Sequence, residues 1–208
     1  MSERPRDRAA IRQRVALRAA ELMYFDRVKE YLRAKRKAAA DLAVTTFPTN
    51  SEIRAEVDRL AAMVEGPARQ DRLLELRRAA LAVMEVLDDF EPRLIGSVLT
   101  GHIKSTSDVD LHAFADLHEA VGDRLIDAGY EVQYEIVKTR KGGEFMDFPH
   151  YYLCEDGAPV EVSVYPQADL KRPQKSSITH RTMERATISA VRRLIAEMQL
   201  GPSRADDR

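Results

Sequence analysis

Two aspartates one residue apart are the part of this sequence best able to do chemistry. Polar and apolar residues alternate here, so Asp108, Asp110 and His112 share one face of a predicted strand. Val109 and Leu111 point to the other face. Carboxylates held this close repel each other, whereas a divalent cation between them removes the conflict. Mg²⁺ is usually held by one or two carboxylates and by the phosphate oxygens of a substrate. The pattern predicts a metal site, and the competing interpretation is a sheet edge with incidental surface aspartates.

A glycine-serine pair precedes the aspartates and ends a short apolar run. Gly96 and Ser97 follow Leu94-Ile95, and ten residues separate them from Asp108. A glycine permits close backbone approach to a phosphate, because a Cβ there would collide. Ser97 offers a hydroxyl and a backbone N–H at the start of a helical turn, where anions are favoured. The pair is therefore a candidate phosphate-binding turn, and a plain tight turn is the alternative.

Together these residues resemble the DNA polymerase β-like nucleotidyltransferase superfamily, in the form of its minimal bacterial members. The pattern is Gly96-Ser97, ten residues, then Asp108-x-Asp110, with Gly101 and Ser107 at the expected intermediate positions. The specific match lies within residues 93–114, and the predicted strand order extends it loosely to residue 166. In that superfamily the Gly-Ser turn holds a triphosphate, the Asp pair binds two metal ions, and a third carboxylate comes from a later strand. The resemblance implies transfer of a nucleoside monophosphate from an NTP to a hydroxyl, with release of pyrophosphate.

Glu161 is the predicted third carboxylate. It interrupts an otherwise valine-rich strand, where a charge is costly unless a cation meets it. With Asp108 and Asp110 it is expected to hold two Mg²⁺ ions, roughly 3.5–4 Å apart, with Mn²⁺ as an alternative. The superfamily often has aspartate at this position, so Glu161 departs mildly from the pattern. An exposed glutamate on a sheet face is the competing interpretation.

Three further residues are candidates for nucleotide binding. Lys104 lies between the turn and the carboxylates, and Lys175 precedes two serines. Both are predicted to neutralise triphosphate charge, although surface lysines in loops are common. Ser107 is the third, because it lies within the matched pattern. His112 is interpreted as a hydrogen-bonded core histidine, and His150 is given no role because its spacing suits no metal site.

Composition limits the classes of protein that this chain can belong to. Of its 208 residues 44% are hydrophobic, which is enough for a sizeable core. The formal net charge is −1, so nothing in the overall charge favours nucleic acid, although residues 1–45 carry twelve Lys/Arg against six Asp/Glu. The single cysteine, Cys154, excludes an intramolecular disulfide and is predicted to be a buried inert thiol. The sequence has no signal-peptide core and no apolar run of membrane-spanning length, so a soluble cytoplasmic protein is expected.

Hydrophobic periodicity predicts an α/β (α+β) fold: a small mixed β-sheet of the nucleotidyltransferase type, flanked by helices and preceded by a long N-terminal helical region. The expected domains are a helical arm over 1–67, a nucleotidyltransferase domain over 68–200 and a frayed tail over 201–208. A stripe containing Leu22, Phe25 and Leu32 predicts one long helix or two abutting helices over 7–45, packed on this chain or on a partner. The remaining predicted elements are a helix capped by Thr49 and Glu52 that ends near residue 65, a helix over 68–90, a strand at 94–95, a helix over 117–128, a strand over 130–137, a mobile charged loop over 138–148, a hairpin of 150–154 with 159–165, and a helix over 181–198.

The acceptor of the transferred nucleotide does not follow from the pattern. The chain is small and carries no RNA-binding motif, so a protein or small-molecule hydroxyl is favoured over nucleic acid, with ATP as the expected NTP. Some minimal members of the superfamily resemble antitoxins that modify a partner toxin, and the basic N-terminal helices could dock such a partner or self-associate. The alternative is a catalytically silent nucleotidyltransferase-like binding module or an antitoxin-type partner protein.

Overall fold

The fold combines seven α-helices with one five-stranded sheet in the part of the chain that the structure, a computed structural model, describes. That part comprises residues 5–26, 28, 30–141, 144–173 and 182–200. The helices are α1 (Pro5–Tyr24), α2 (Tyr31–Asp41), α3 (Asn50–Glu65), α4 (Ala68–Val86), α5 (Gly96–Thr100), α6 (Glu119–Asp127) and α7 (Ile188–Leu200). The strands are β1 (Arg93–Ile95), β2 (Val109–Phe114), β3 (Gln133–Lys141), β4 (Glu144–Glu155) and β5 (Ala158–Tyr165).

The contacts within the chain divide it into two compact units. The helical unit holds the described residues up to Arg69 and the short segment His102–Ser105. The sheet unit holds the described residues of 70–101, 106–174 and 182–208.

The helical unit buries its apolar stripe on itself. Val15 and Leu22 of α1, Ala38 of α2 and Ile53 of α3 are fully buried in one cluster, so the N-terminal helices pack on this chain. Periodicity allowed one helix or two, and the structure has two, because the chain leaves the helical conformation after Tyr24. That break changes the phase of the stripe. Phe25 and Leu32, both predicted to lie on it, are each 57% exposed.

The predicted cap of α3 is confirmed by its hydrogen bonds. The Glu52 backbone N–H donates to Thr49 Oγ1 at 3.1 Å, and the Thr49 N–H donates to Glu52 Oε2 at 2.7 Å. Each side chain thus satisfies a backbone donor that the first helical turn leaves unpaired. The helix ends at Glu65, as predicted, and Gly66 follows with φ +56°.

The sheet has the order β1-β2-β5-β4-β3, and this mixed arrangement confirms the predicted α+β class. The β2–β5 pair is parallel, and the other neighbouring pairs are antiparallel. The parallel pair places Asp110 directly opposite Glu161. Because side chains alternate between faces, these two carboxylates project from the same face of the sheet.

On the opposite face the β2–β5 pair is apolar, and α6 packs against the neighbouring strand β4. Leu111 of β2 and Val162 of β5 are buried there, as are Val121 and Leu125 of the helix. The helix lies close to the sheet, since a Cβ on Gly122 would be 2.7 Å from a ring carbon of Tyr151. This tight layer fixes the strands that carry the carboxylates on the other side.

The hairpin of β4 and β5 turns at Asp156-Gly157, as predicted. Both residues have positive φ, +46° and +75°, which suits a two-residue turn whose twist matches that of the strands. The strands differ from their predicted lengths, because β4 begins at Glu144 rather than at residue 150.

Three other predictions about this unit are wrong. The predicted mobile loop over 138–148 is strand in its described residues, because the backbones of β3 and β4 pair there, with Lys138 opposite Asp147. The last helix begins at Ile188, seven residues later than predicted, and residue 181 lies outside the described residues. Cys154 is exposed rather than buried. The predicted tail, 201–208, also lies outside the described residues.

None of the helices in the described part of the chain combines the length and the apolar character needed to cross a membrane.

Candidate active site

The glycine-serine turn lies directly against the second aspartate. Strand β1 ends at Ile95, the antiparallel partner of Asp110, and α5 begins at Gly96 with φ +71°. A Cβ on Gly96 would overlap Asp110 Oδ2 and would be 3.2 Å from its Cγ. Glycine is therefore required here for two reasons, its left-handed backbone and the carboxylate that occupies the place of a side chain. The sequence had suggested only the approach of a phosphate.

Asp110 and Glu161 form the centre of the site. They are Cα partners on the parallel strands β2 and β5 and share one face of the sheet. Burial, and then the charges of Glu161 and Asp108, raise the pKa of Asp110 to about 7. The ionised form of Asp110 is therefore disfavoured by its burial and by two neighbouring negative charges.

Asp108 occupies a different environment from Asp110. It is exposed and immediately precedes β2, which begins at Val109. Its charge nevertheless contributes to the raised pKa of Asp110. The predicted Asp-x-Asp pair thus combines a solvated carboxylate with a partly buried one.

The two serines of the pattern come together at the turn. Ser97 Oγ donates to Ser107 Oγ at 3.4 Å, although they are ten positions apart, and Ser107 is buried. Thr100 Oγ1 donates to Gly96 O at 3.1 Å, which ties the end of α5 to its first residue. One hydrogen bond thus joins the turn to Ser107, and a second joins it to the end of α5.

Sequence reasoning missed His150. Its Nδ1 lies 2.7 Å from Glu161 Oε1, and its side chain is only 12% exposed. His150 is the Cα partner of Ser163, two residues beyond Glu161 on the same face of β5. This diagonal contact places a histidine ring nitrogen beside the third carboxylate. The Asp156-Gly157 turn sets the register of the hairpin and was the sequence signal from which the contact could have been found.

Three further residues were singled out from the sequence. Lys104 belongs to the helical unit, within a segment whose Ile103 carbonyl accepts a hydrogen bond from Arg69 Nε at 3.1 Å. Lys175, with the serines that follow it, lies outside the described residues. His112 is 3% exposed, and its ring centroid is 4.5 Å from that of Tyr165, as expected of a core histidine.

Weak similarity links the chain to solved structures of nucleotidyltransferases. It resembles Cid1 in complex with the UTP analogue UMPNPP, with 18% identity and a TM-score of 0.35 over 47% of this chain and 32% of that one. It also resembles a cytoplasmic RNA terminal U-transferase, with 20% identity and a TM-score of 0.33 over 47% of this chain and 32% of that one. For the Cid1 poly(U) polymerase the values are 16% and 0.34, over 55% and 38%.

The chain spans about a third of the length of each of these proteins. No family model matches the sequence, and no curated protein matches it. With similarity this low, the chemistry of the site has to be judged from the residues of this chain.

Those residues suit a hard divalent cation in their chemistry. Within the described residues, no three His, Cys, Asp or Glu side chains are already arranged to hold a metal ion. Asp110 and Glu161 nevertheless supply carboxylate oxygens from adjacent strands, the donors that Mg²⁺ prefers. Burial, and then the charges of Glu161 and Asp108, disfavour the ionised form of Asp110, and a bound cation would stabilise that form.

Proposed function

We propose that the chain is a metal-dependent nucleotidyltransferase that moves an NMP from an NTP to a hydroxyl group and releases pyrophosphate. The observation that carries this proposal is the placement of the Gly96 backbone against the Asp110 carboxylate, with Glu161 on the neighbouring strand. It joins a phosphate-binding type of turn to a cluster of acidic oxygen donors. The proposal extends the family resemblance of the sequence to the residues that the fold brings together.

Each residue has a role in the proposed reaction. Asp108, Asp110 and Glu161 would hold two Mg²⁺ ions, or Mn²⁺ in their place, which when bound supply Lewis-acid activation of the attacking and leaving oxygens. Ser97 and the backbone at Gly96 bind the triphosphate oxygens, and Ser107 holds the Ser97 hydroxyl in place. His150 orients the Glu161 carboxylate.

In the chemical step, the acceptor oxygen forms a bond to the α-phosphorus. The bond from that phosphorus to the oxygen bridging it to the β-phosphorus breaks, and pyrophosphate leaves with the bonding electron pair. The hydroxyl proton passes to a carboxylate of the site or to solvent.

The acceptor is proposed to be a protein or a small molecule, and the donor to be ATP. We assign the transfer to a catalytic domain over 68–200 and recognition of the acceptor, or self-association, to the helical arm over 1–67. The excess of Lys and Arg in residues 1–45 suits an acidic partner surface. Lys104 and Lys175 remain proposed contacts of the triphosphate. The reaction is placed in the cytoplasm, where NTPs are abundant.

Two labels on the same nucleotide test the proposal. The protein is incubated with Mg²⁺ and a lysate of its own host, once with α-³²P-NTP and once with γ-³²P-NTP, for each of the four bases. Nucleotidyl transfer labels an acceptor only from the α position, and Asp110→Asn serves as the matched inactive control. Labelling from the γ position alone would indicate a kinase and contradict the proposal.

A silent nucleotide-binding module is the second candidate. It is favoured by the exposure of Asp108 and by the His150 contact, which already occupies one oxygen of Glu161. Such a module would bind NTP with Mg²⁺ and transfer nothing. Equilibrium binding of a labelled NTP without labelling of any acceptor would favour this reading.

A further inference from the structure

A buried arginine on α4 holds the short helix that begins with the glycine-serine turn. Arg77 is 6% exposed and projects from α4 toward α5. Its Nε donates to Val98 O at 3.1 Å, and its Nη2 donates to Leu99 O at 3.0 Å. Both carbonyls belong to α5, which starts at Gly96.

The position of this guanidinium is costly, so its contacts have to compensate. Burial lowers the pKa of Arg77, and the charge of Glu197 on α7 opposes that effect. The planar fork of arginine can bond two neighbouring carbonyls at once, which a lysine ammonium on a flexible stem does less well. The third contact, from Nη1 to Met198 Sδ at 3.0 Å, fixes the far side of the fork on α7.

Helix α5 needs such support because it is only five residues long. The last carbonyls of a helix have no partner within it, and so short a helix is not stable alone. Arg77 satisfies two of these carbonyls. One turn earlier on α4, Leu73 Cδ2 lies 3.7 Å from the place of a Cβ on Gly101, which ends α5 with φ +78°. The same face of α4 thus contacts both the carbonyls and the end of this helix.

We infer that Arg77 is a positioning residue for nucleotide binding: through Val98 and Leu99 it holds the Gly96-Ser97 turn at the Asp110 carboxylate. The inference rests on the proposed function. The strand β1 fixes one end of the turn, and Arg77 fixes the helix that leaves it. Without the Arg77 guanidinium, α5 can shift. The Ser97 hydroxyl and the backbone at Gly96 then lose the relative position in which both contact the triphosphate.

The test compares Arg77→Met and Arg77→Lys with Val83→Ala, a cavity-forming change at a fully buried residue further along α4. The dissociation constant of α,β-methylene-ATP with Mg²⁺ is measured by calorimetry, and the melting temperature is measured in parallel. We expect Arg77→Met to weaken binding by about tenfold or more, the scale of a lost charge-assisted hydrogen bond. Arg77→Lys should weaken it by roughly threefold, because one donor and the charge remain. Val83→Ala should lower the melting temperature and leave the affinity within about twofold.

Equal affinity in the wild type and in either Arg77 variant would overturn the inference while leaving the proposed function intact. If Arg77→Met does not fold, Arg77→Lys decides the matter by the same criterion. Affinity that falls in proportion to melting temperature, with Val83→Ala included, would also overturn it, because a purely structural role predicts that outcome. A wild-type protein that binds no nucleotide would contradict the proposed function itself, and the inference with it.

Discussion

The two faces of the β2–β5 pair follow opposite rules. On one face the side chains are apolar and fully covered, as with Leu111 and Val162, which are 1% and 0% exposed. On the other face the same strands carry Asp110 and Glu161 side by side. The apolar face follows the general pattern of protein cores, whereas a partly buried pair of carboxylates costs free energy.

The difference separates what the fold requires from what the site requires. Replacing a residue of the apolar face removes packing and should reduce stability first. Replacing a carboxylate of the polar face removes repulsion and should reduce activity while leaving stability unchanged or higher. A variant of the apolar face, or a second glycine, therefore provides the matched control for a variant of the site.

The largest effect is expected at Asp110. Asp110→Asn keeps the size of the side chain and removes a charge that the reaction needs, so the rate of nucleotidyl transfer should fall by about 10²–10³-fold or more. The control is Leu111→Ala, which should cost about 2–5 kcal/mol of stability and retain activity per folded molecule. Turnover and urea unfolding are measured together. Near-normal turnover of Asp110→Asn with Mg²⁺ would remove the metal assignment.

Glu161→Gln should reduce transfer on the same scale. The glutamine keeps the shape of the side chain beside His150 and loses the negative charge of the third ligand. Val162→Ala, on the opposite face, serves as its control and is expected to act through stability. If Glu161→Gln is silent while Asp110→Asn is inactive, the third carboxylate lies elsewhere.

A smaller effect is expected at the turn. Gly96→Ala strains a left-handed backbone and also drives a methyl group into the Asp110 carboxylate, so nucleotide affinity should fall by about tenfold. Gly129→Ala is a matched control, since Gly129 has φ +92° with nothing within 4 Å of its Cβ position. It should cost about 1–2 kcal/mol of stability and leave affinity unchanged. Equal losses of affinity in the two variants would show that backbone strain alone is responsible.

The last expected effect is a pH dependence of stability. The pKa of Asp110 is about 7 in the folded protein against an ordinary 3.8, so the folded state binds the proton more tightly. Stability contributed by this protonation is present below about pH 4 and is lost as pH rises through 7. Between pH 5 and pH 8, the free energy of unfolding of Asp110→Asn should therefore rise relative to that of the wild type, by on the order of 2–4 kcal/mol without metal. Urea unfolding of both proteins at pH 5 and pH 8 checks this expectation. A stability difference that is the same at both pH values would contradict the raised pKa of Asp110.

Local patterns predicted much of the fold. Alternation located β2 and β5, the Asp156-Gly157 pair located the hairpin, and the Thr49 and Glu52 pattern located the start of α3. These features depend on residues close in sequence, where the chemistry of a turn or a cap leaves few alternatives. The close approach of Gly96 to the Asp110 carboxylate was not predicted, because the motif indicated only the approach of a phosphate.

What sequence reasoning missed depends on pairing between distant segments. The charged stretch over 138–148 was predicted as a loop because its own composition is polar, yet its described residues are paired across β3 and β4. The His150 contact with Glu161 and the Arg77 contacts with α5 join residues 11 or more positions apart. The His150 contact could have been derived only through the register of the β4–β5 hairpin, and no local spacing indicates the Arg77 contacts.

The most direct test of the metal site is the binding of Mn²⁺ to the metal-free protein, measured by calorimetry at pH 6.5 in two buffers of different ionisation enthalpy. A cation held by Asp110 must displace the proton that this carboxyl carries near its pKa of about 7. The wild type should therefore bind Mn²⁺ and release between about half a proton and one proton per protein. Asp110→Asn should bind more weakly and release none. Equal affinity and equal proton release in the two proteins, or no binding by the wild type, would contradict the account.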